Sequence, residues 1–328
     1  MLNPKMLKQT ARAKLSGDHK RLALIHTAIA LGISLVATLL SFYLNNQIGN
    51  TGGLSGLGTR SILQTAQTVL QYVINVAMPF WELGFLFAAL QMERGQNADI
   101  PSLLEGFRRF GPALRLYLSR SLLFIGVGVA CAYACGFIYV MTPMAAPLME
   151  KMTLMAENGA DITQMQEMVL NISMEELLGY FWPYLLMTGV LFAVLAVLLI
   201  YKYRVANFLV MDKGLGGLRA MVGSSRITKG RRKQLFKLDL SFWWFYLLVA
   251  FTTFVMNADM LLQYLGVALP VSGDALWLLC YVAGLLLRLV VYWQFFGYVQ
   301  TTYAVAYDTL LQMPVEAPKP PPVPQKLP

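Results

Sequence analysis

Apolar residues in this chain fall into runs long enough to cross a bilayer, and the charged residues crowd into the gaps between them. Six runs stand out, at about residues 22–44, 69–90, 116–141, 181–203, 240–260 and 275–299. Each is close to the ~20 residues that a helix needs to span hydrocarbon. The pattern predicts an all-α fold, a polytopic membrane helical bundle of six transmembrane helices. The first run exceeds the ~7–15 residues of a signal-peptide core and is expected to stay as a signal anchor. Asn45 to Ser61, rich in Gly and Asn, reads as a loop. Gln64, Gln67 and Gln71 then predict helical turns that project from the membrane before the second run. Pro79 is expected to kink that run, because proline lacks the N–H for an i→i−4 bond.

The gaps carry patterns of their own. Residues 1–21 are basic; Leu7, Ala11 and Leu15 share one helix face and Lys5, Lys8 and Arg12 another. This predicts a short helix lying on the membrane surface, with a frayed basic tail as the alternative. In the gap at 93–115, Leu103, Leu104, Phe107 and Phe110 recur at helical spacing beside Arg108 and Arg109, an amphipathic elbow. The gap at 204–239 is a second elbow. Residues 142–179 are instead acidic, with Glu150, Glu157, Asp161, Glu167, Glu175 and Glu176 against Lys151. There Asn158-Gly159 marks a turn and Asp161 to Gln164 resembles a capping box, so an external helical hairpin is expected. Residues 257–274 read as a polar loop. Residues 314–328 hold seven prolines and are expected to form an extended, disordered tail.

Composition agrees with the runs. Apolar residues make up 57% and charged residues 13%, against about 25% charged in soluble domains. The net charge of +9 sits where apolar runs end, as beside anionic phospholipids, and not in a nucleic-acid-binding pattern. Of the 26 Lys and Arg, 23 fall on one side of a six-span arrangement. The positive-inside rule then puts both termini and both elbows in the cytosol and the acidic hairpin outside. The elbows also echo each other: Met92-Glu93-Arg94-Gly95 precedes Leu116 to Ser119 as Met211-Asp212-Lys213-Gly214 precedes Leu238 to Ser241. Either an internal repeat or the common chemistry of a membrane exit gives this pattern.

The stretch Ser224-Ser225-Arg226, Lys229-Gly230, then Leu235-Phe236 and Leu240-Ser241-Phe242 is similar to a motif of an uncharacterised bacterial multi-pass family, domain of unknown function 975. Ala11-Arg12, Leu15 and Gly17 resemble its N-terminal motif, and Gly84, Arg94-Gly95 and Gly106-Phe107 its first elbow. The resemblance covers about residues 8–310. It implies a six-helix protein of the bacterial cytoplasmic (inner) membrane with no agreed activity. A looser similarity is to the membrane domain of bacterial glycerophosphodiester phosphodiesterases, which is not their catalytic part.

No motif for chemistry stands out. Gly214 to Gly217 lacks the third glycine and the preceding strand of a dinucleotide loop. No nucleophile–base pair or zinc-ligand set is present, so no enzyme and no cofactor are expected. Cys131, Cys135 and Cys280 lie inside apolar runs and read as small buried residues. Eight of the 18 methionines fall between Met141 and Met174; thioethers bind Cu(I), but packing is the simpler use. Asn171-Ile-Ser173 fits a glycosylation pattern relevant only to a eukaryotic secretory route.

Two sets of residues remain as candidate sites. Glu82 and Arg288 lie within spans two and six, where a charge costs ~2.5–3.5 kcal/mol. They are expected to meet near the midplane, with Asn75 and Gln294 joining them in an intramembrane polar site. Arg226, Lys229, Arg231, Arg232 and Lys233 form a basic patch for anionic lipid or a protein partner. The leading function is therefore a non-enzymatic, transport-like membrane protein. The alternatives are a membrane scaffold or regulator that recruits a partner through the basic elbow, and a membrane-embedded lipid-modifying enzyme.

Overall fold

The computed structural model describes residues 3–15, 18–50, 57–157, 174–265 and 273–313. Among them there is no strand. The helices in chain order are α1 (Pro4–Lys14), α2 (Asp18–Asn50), α3 (Leu57–Glu93), α4 (Ile100–Leu103), α5 (Glu105–Arg108), α6 (Phe110–Met141), α7 (Ala146–Glu157), α8 (Met174–Lys202), α9 (Ala206–Lys213), α10 (Leu218–Ile227), α11 (Arg232–Leu240), α12 (Trp243–Met256), α13 (Ala258–Tyr264) and α14 (Gly273–Gln312). Five segments are long and apolar enough to cross a membrane. A sixth is the pair α11 and α12, bent by 56° at Ser241-Phe242. The fold is an all-α polytopic bundle, and its length and apolarity are those of a multi-pass membrane protein.

Several boundaries differ from the sequence expectation. The loop at 45–61 is mostly helix, since α2 runs to Asn50 and α3 starts at Leu57. Pro79, expected to kink the second run, lies inside the continuous helix α3. The fifth run is not one helix over 240–260, because α12 has only 14 residues and ends at Met256. The short helix α13 occupies part of the expected polar loop. The turn at Asn158-Gly159, the capping box at Asp161, the pattern at Asn171 and the proline tail lie outside the described residues.

Contacts divide the chain into two units, residues 117–202 and the rest. The larger unit is built on α2, α3 and α14, which pack on one another, with α12 against α14. Aromatic and small residues set the register. His26 stacks on Trp81 and Phe296 and touches Phe85. Trp81 Nε1 donates to the His26 carbonyl at 3.0 Å, and His26 Nε2 lies 3.3 Å from the Trp81 carbonyl. Gly284 lets α14 close on Met256 and Thr252 of α12.

At about 1.5 Å per residue, α3 and α14 are roughly 55 and 60 Å long, well beyond the ~30 Å of hydrocarbon. The C-terminal part of each packs against the elbows. Residues 58–76 of α3 are mostly exposed, whereas 80–93 are mostly buried. The first elbow does not hang from the end of α3. It folds back along it, so that Gly106 backs onto the Phe80 carbonyl and Gly84 onto the Leu103 carbonyl. The second elbow repeats the manoeuvre: α10 packs on α9, with Gly223 against Leu209. Each reversal begins at a glycine in the left-handed region, Gly95 at φ 71° and Gly214 at φ 65°, a conformation that glycine adopts without a Cβ penalty.

The N-terminal segment is a helix rather than a frayed tail, and its apolar face is covered by protein. Its apolar residues Leu7 and Ala11 are buried because α1 docks on α14. Lys8 Nζ donates to the Ser241 carbonyl at 2.6 Å and lies over the Phe242 ring. Arg12 lies over Tyr298. Lys8 and Arg12 thus clasp protein at the α11–α12 bend and at α14.

In the smaller unit, Cys131, Cys135 and Tyr139 are buried on α6. Tyr139 meets Phe181 and Tyr184 of α8, and Gly128 faces Phe192. The other apolar side chains of these two helices are largely exposed, as lipid-facing residues are. Of the residues expected to form an acidic hairpin, 146–157 are helix α7.

Candidate functional site

The densest polar cluster lies where the ends of α3, α9 and α14 converge. Arg94 follows the last turn of α3. Its Nε and Nη2 bind the two carboxylate oxygens of Asp308 at 3.0 and 2.9 Å, and its Nη1 binds Asp212 at 2.5 Å. Tyr307 Oη donates to the other oxygen of Asp212 at 2.9 Å. Lys14 pairs with the neighbouring Glu93 at 2.6 Å. The hydrogen bonds from Arg94 to Asp308 and Asp212 hold its guanidinium more firmly protonated than usual. Arg109 adds a strut, donating to the Val210 and Met211 carbonyls. One arginine from the first elbow therefore ties the second elbow and the last helix together.

A second cluster lies beside it. Arg204 binds Asp239 at 3.0 Å and lies over the Tyr303 ring. Tyr303 Oη donates to Asp239 at 2.5 Å and meets Tyr246 Oη at 2.9 Å. The sequence reading missed both clusters. The paired Glu93-Arg94-Gly95 and Asp212-Lys213-Gly214 motifs were the available signal for the first. Tyr303, Tyr307 and Asp308 carried none, because their partners are remote in sequence.

The expected meeting of Glu82 and Arg288 is not what the structure contains. Among the described residues no ion pair joins them. Arg288 turns to α12, where its Nε donates to Thr252 Oγ1 at 3.1 Å and its Nη2 to Thr253 Oγ1 at 2.6 Å. The cause is register. Phe85 packs on Phe296 and Arg94 reaches Asp308, so Glu82 stands level with about Trp293 to Phe296. At 1.5 Å per residue, that puts Arg288 about 10 Å deeper along the bundle. Tyr292 lies between and feels the charge of both. Gln294 is half-buried near the level of Glu82, while Asn75 is exposed and accepts a long hydrogen bond from Gln71. The four polar residues form a staggered ladder rather than one cluster.

The basic patch sits on the turn between α10 and α11, closed by Gly230 at φ 75°. Arg226, Lys229 and Lys233 are exposed, and Arg231 and Arg232 are half-buried. Among the described residues no group of three or more His, Cys, Asp and Glu is placed to hold a metal ion.

No protein-family model, curated protein or solved structure matches this chain.

Proposed function

We propose that the chain is a non-enzymatic, transport-like integral membrane protein whose polar site runs between spans two, five and six. The observation that carries this reading is the separation of Glu82 and Arg288. An ion pair is the usual way to offset the cost of charge among apolar helices. Here Arg288 is held by two hydroxyls within the apolar stretch, and Glu82, exposed about 10 Å away where the first elbow begins to cover α3, has no acid–base partner among the described residues. A fixed structural pair would have brought them together; a path for a polar solute or ion leaves them available at successive depths.

The test is water access. In a variant lacking Cys131, Cys135 and Cys280, Tyr292→Cys and Thr253→Cys are expected to react with a water-soluble thiosulfonate. Protection of both, while Lys229→Cys reacts on the same purified protein, would establish a dry core and overturn the reading.

The resemblance and the charge bias support a place in a bacterial cytoplasmic membrane with both termini and both elbows inside. An impermeant maleimide is expected to label Glu157→Cys and spare Lys229→Cys in intact cells; the reverse pattern overturns this topology. A second reading, a scaffold or regulator, is favoured by the exposed Arg226, Lys229 and Lys233, which project from the elbow where a partner or anionic lipid can reach them.

A further inference from the structure

A groove of about 590 Å³ opens between the start of α2 and the segment that links α3 to α4. Lys14 and Arg21 line it together with the residues from Gly95 to Asp99. Leu22, Ile25 and Met92 line it with apolar surface. The donors differ in how far they are already engaged. Lys14 is shared with Glu93, but Arg21 is exposed and makes no hydrogen bond or ion pair among the described residues. The backbone N–H groups of Asn97 and Ala98 are likewise without a protein acceptor. The one acid on the wall, Asp99, is the N-cap of α4.

Depth completes the argument. His26 is level with Trp81 and Phe296, where the elbows begin to encase the long helices. Arg21 to Ile25 therefore lie at the boundary between the apolar run and the elbow layer. Two cations and free amides at headgroup depth, above an apolar wall, suit a phosphate carried on an acyl chain. A guanidinium with unpaired backbone N–H groups is a good phosphate cradle, and Leu22, Ile25 and Met92 suit the glycerol and first methylenes below it.

We propose that this groove is a binding site for the phosphate headgroup of an anionic phospholipid, with Arg21 as its principal contact. The site is separate from the basic turn at Arg226 to Lys233 and does not depend on the transport-like reading.

The test is native mass spectrometry of the full-length protein in mild detergent, with dioleoyl phosphatidylglycerol or phosphatidylcholine added. The wild type is expected to retain phosphatidylglycerol preferentially. Arg21→Gln should lower that retention about fivefold, the factor that one interfacial cation contributes, and Arg21→Lys should restore most of it. Lys20→Gln, a neighbouring exposed cation outside the groove, should have no effect. Equal losses for Lys20→Gln and Arg21→Gln would reduce the effect to general surface charge and overturn the site. So would equal retention of the two lipids. Displacement of the lipid by millimolar inorganic phosphate would make this a free-anion site and overturn the lipid assignment.

Discussion

Arg94→Ala is expected to destabilise the protein by about 2–3 kcal/mol, read as a lower melting temperature and a loss of monodisperse protein in detergent. Arg94 makes three charge-assisted contacts to Asp212 and Asp308, and such bonds contribute about 1.5–3 kcal/mol each. Their sum is an overestimate, because the Arg94 side chain is 35% exposed and solvent screens what remains. The larger effect comes from what the mutation leaves behind. Both carboxylates are only 15% exposed, and without the guanidinium they face each other as like charges. Lys at this position should recover only part of the loss, since an ammonium cannot bind Asp308 through two parallel bonds while reaching Asp212. Asp308→Asn should rescue Arg94→Ala by removing the repulsion, although alone it weakens the wild type. If Arg94→Ala melts with the wild type, or if Asp308→Asn deepens its defect, the cluster does not hold the elbows together.

The helical, membrane-type character was legible because it rests on local properties. Runs such as 181–203 declare themselves by composition, and Gly95 and Gly214 mark helix ends through backbone chemistry alone. The back-folding of the elbows was not legible. Leu103, Leu104, Phe107 and Phe110 were read as one stripe of an amphipathic helix; Leu103 is buried with Gly106 and Ala113, whereas Leu104 is exposed and Phe107 and Phe110 are partly exposed beside the Phe80 ring. Periodicity identifies an apolar face but not whether lipid or protein covers it. The same ambiguity applies to α1, whose apolar face meets α14.

The expected contact between Glu82 and Arg288 failed on register. Placing Glu82 and Arg288 at one depth required the midpoints of two runs to coincide. The ends of such runs shift by several residues when helices outlast the bilayer, as α3 and α14 do. Several of the residues that carry the resemblance pack the fold. Ala11, Ser224, Leu235 and Phe242 are all buried, and Gly84 and Gly106 form a backbone crossing. The motif reads as a specification of how the elbows pack.

That crossing supports the prediction with the most direct geometry. Gly106→Ala is expected to cost about 3 kcal/mol, the upper part of the ~1–3 kcal/mol typical of overpacked cores. A Cβ at Gly106 would lie 1.9 Å from the Phe80 carbonyl oxygen and 2.8 Å from the Gly84 amide nitrogen. A Cβ at Gly84 would lie 1.8 Å from the Leu103 carbonyl oxygen. In every case the obstacle is backbone, so no rotamer change relieves it, and the elbow must lift from α3. Gly84→Ala should therefore be as damaging as Gly106→Ala. The double variant should cost much less than the sum, because the first methyl already opens the contact that the second would enter. Gly126→Ala is the control: nothing lies within 4 Å of its added Cβ, and alanine in a helix interior gains up to ~1 kcal/mol over glycine. Heating each variant in detergent and following the monodisperse fraction by size exclusion measures all four. Wild-type stability for Gly106→Ala, or equal damage from Gly126→Ala, would show that the first elbow does not rest on α3 through these two glycines.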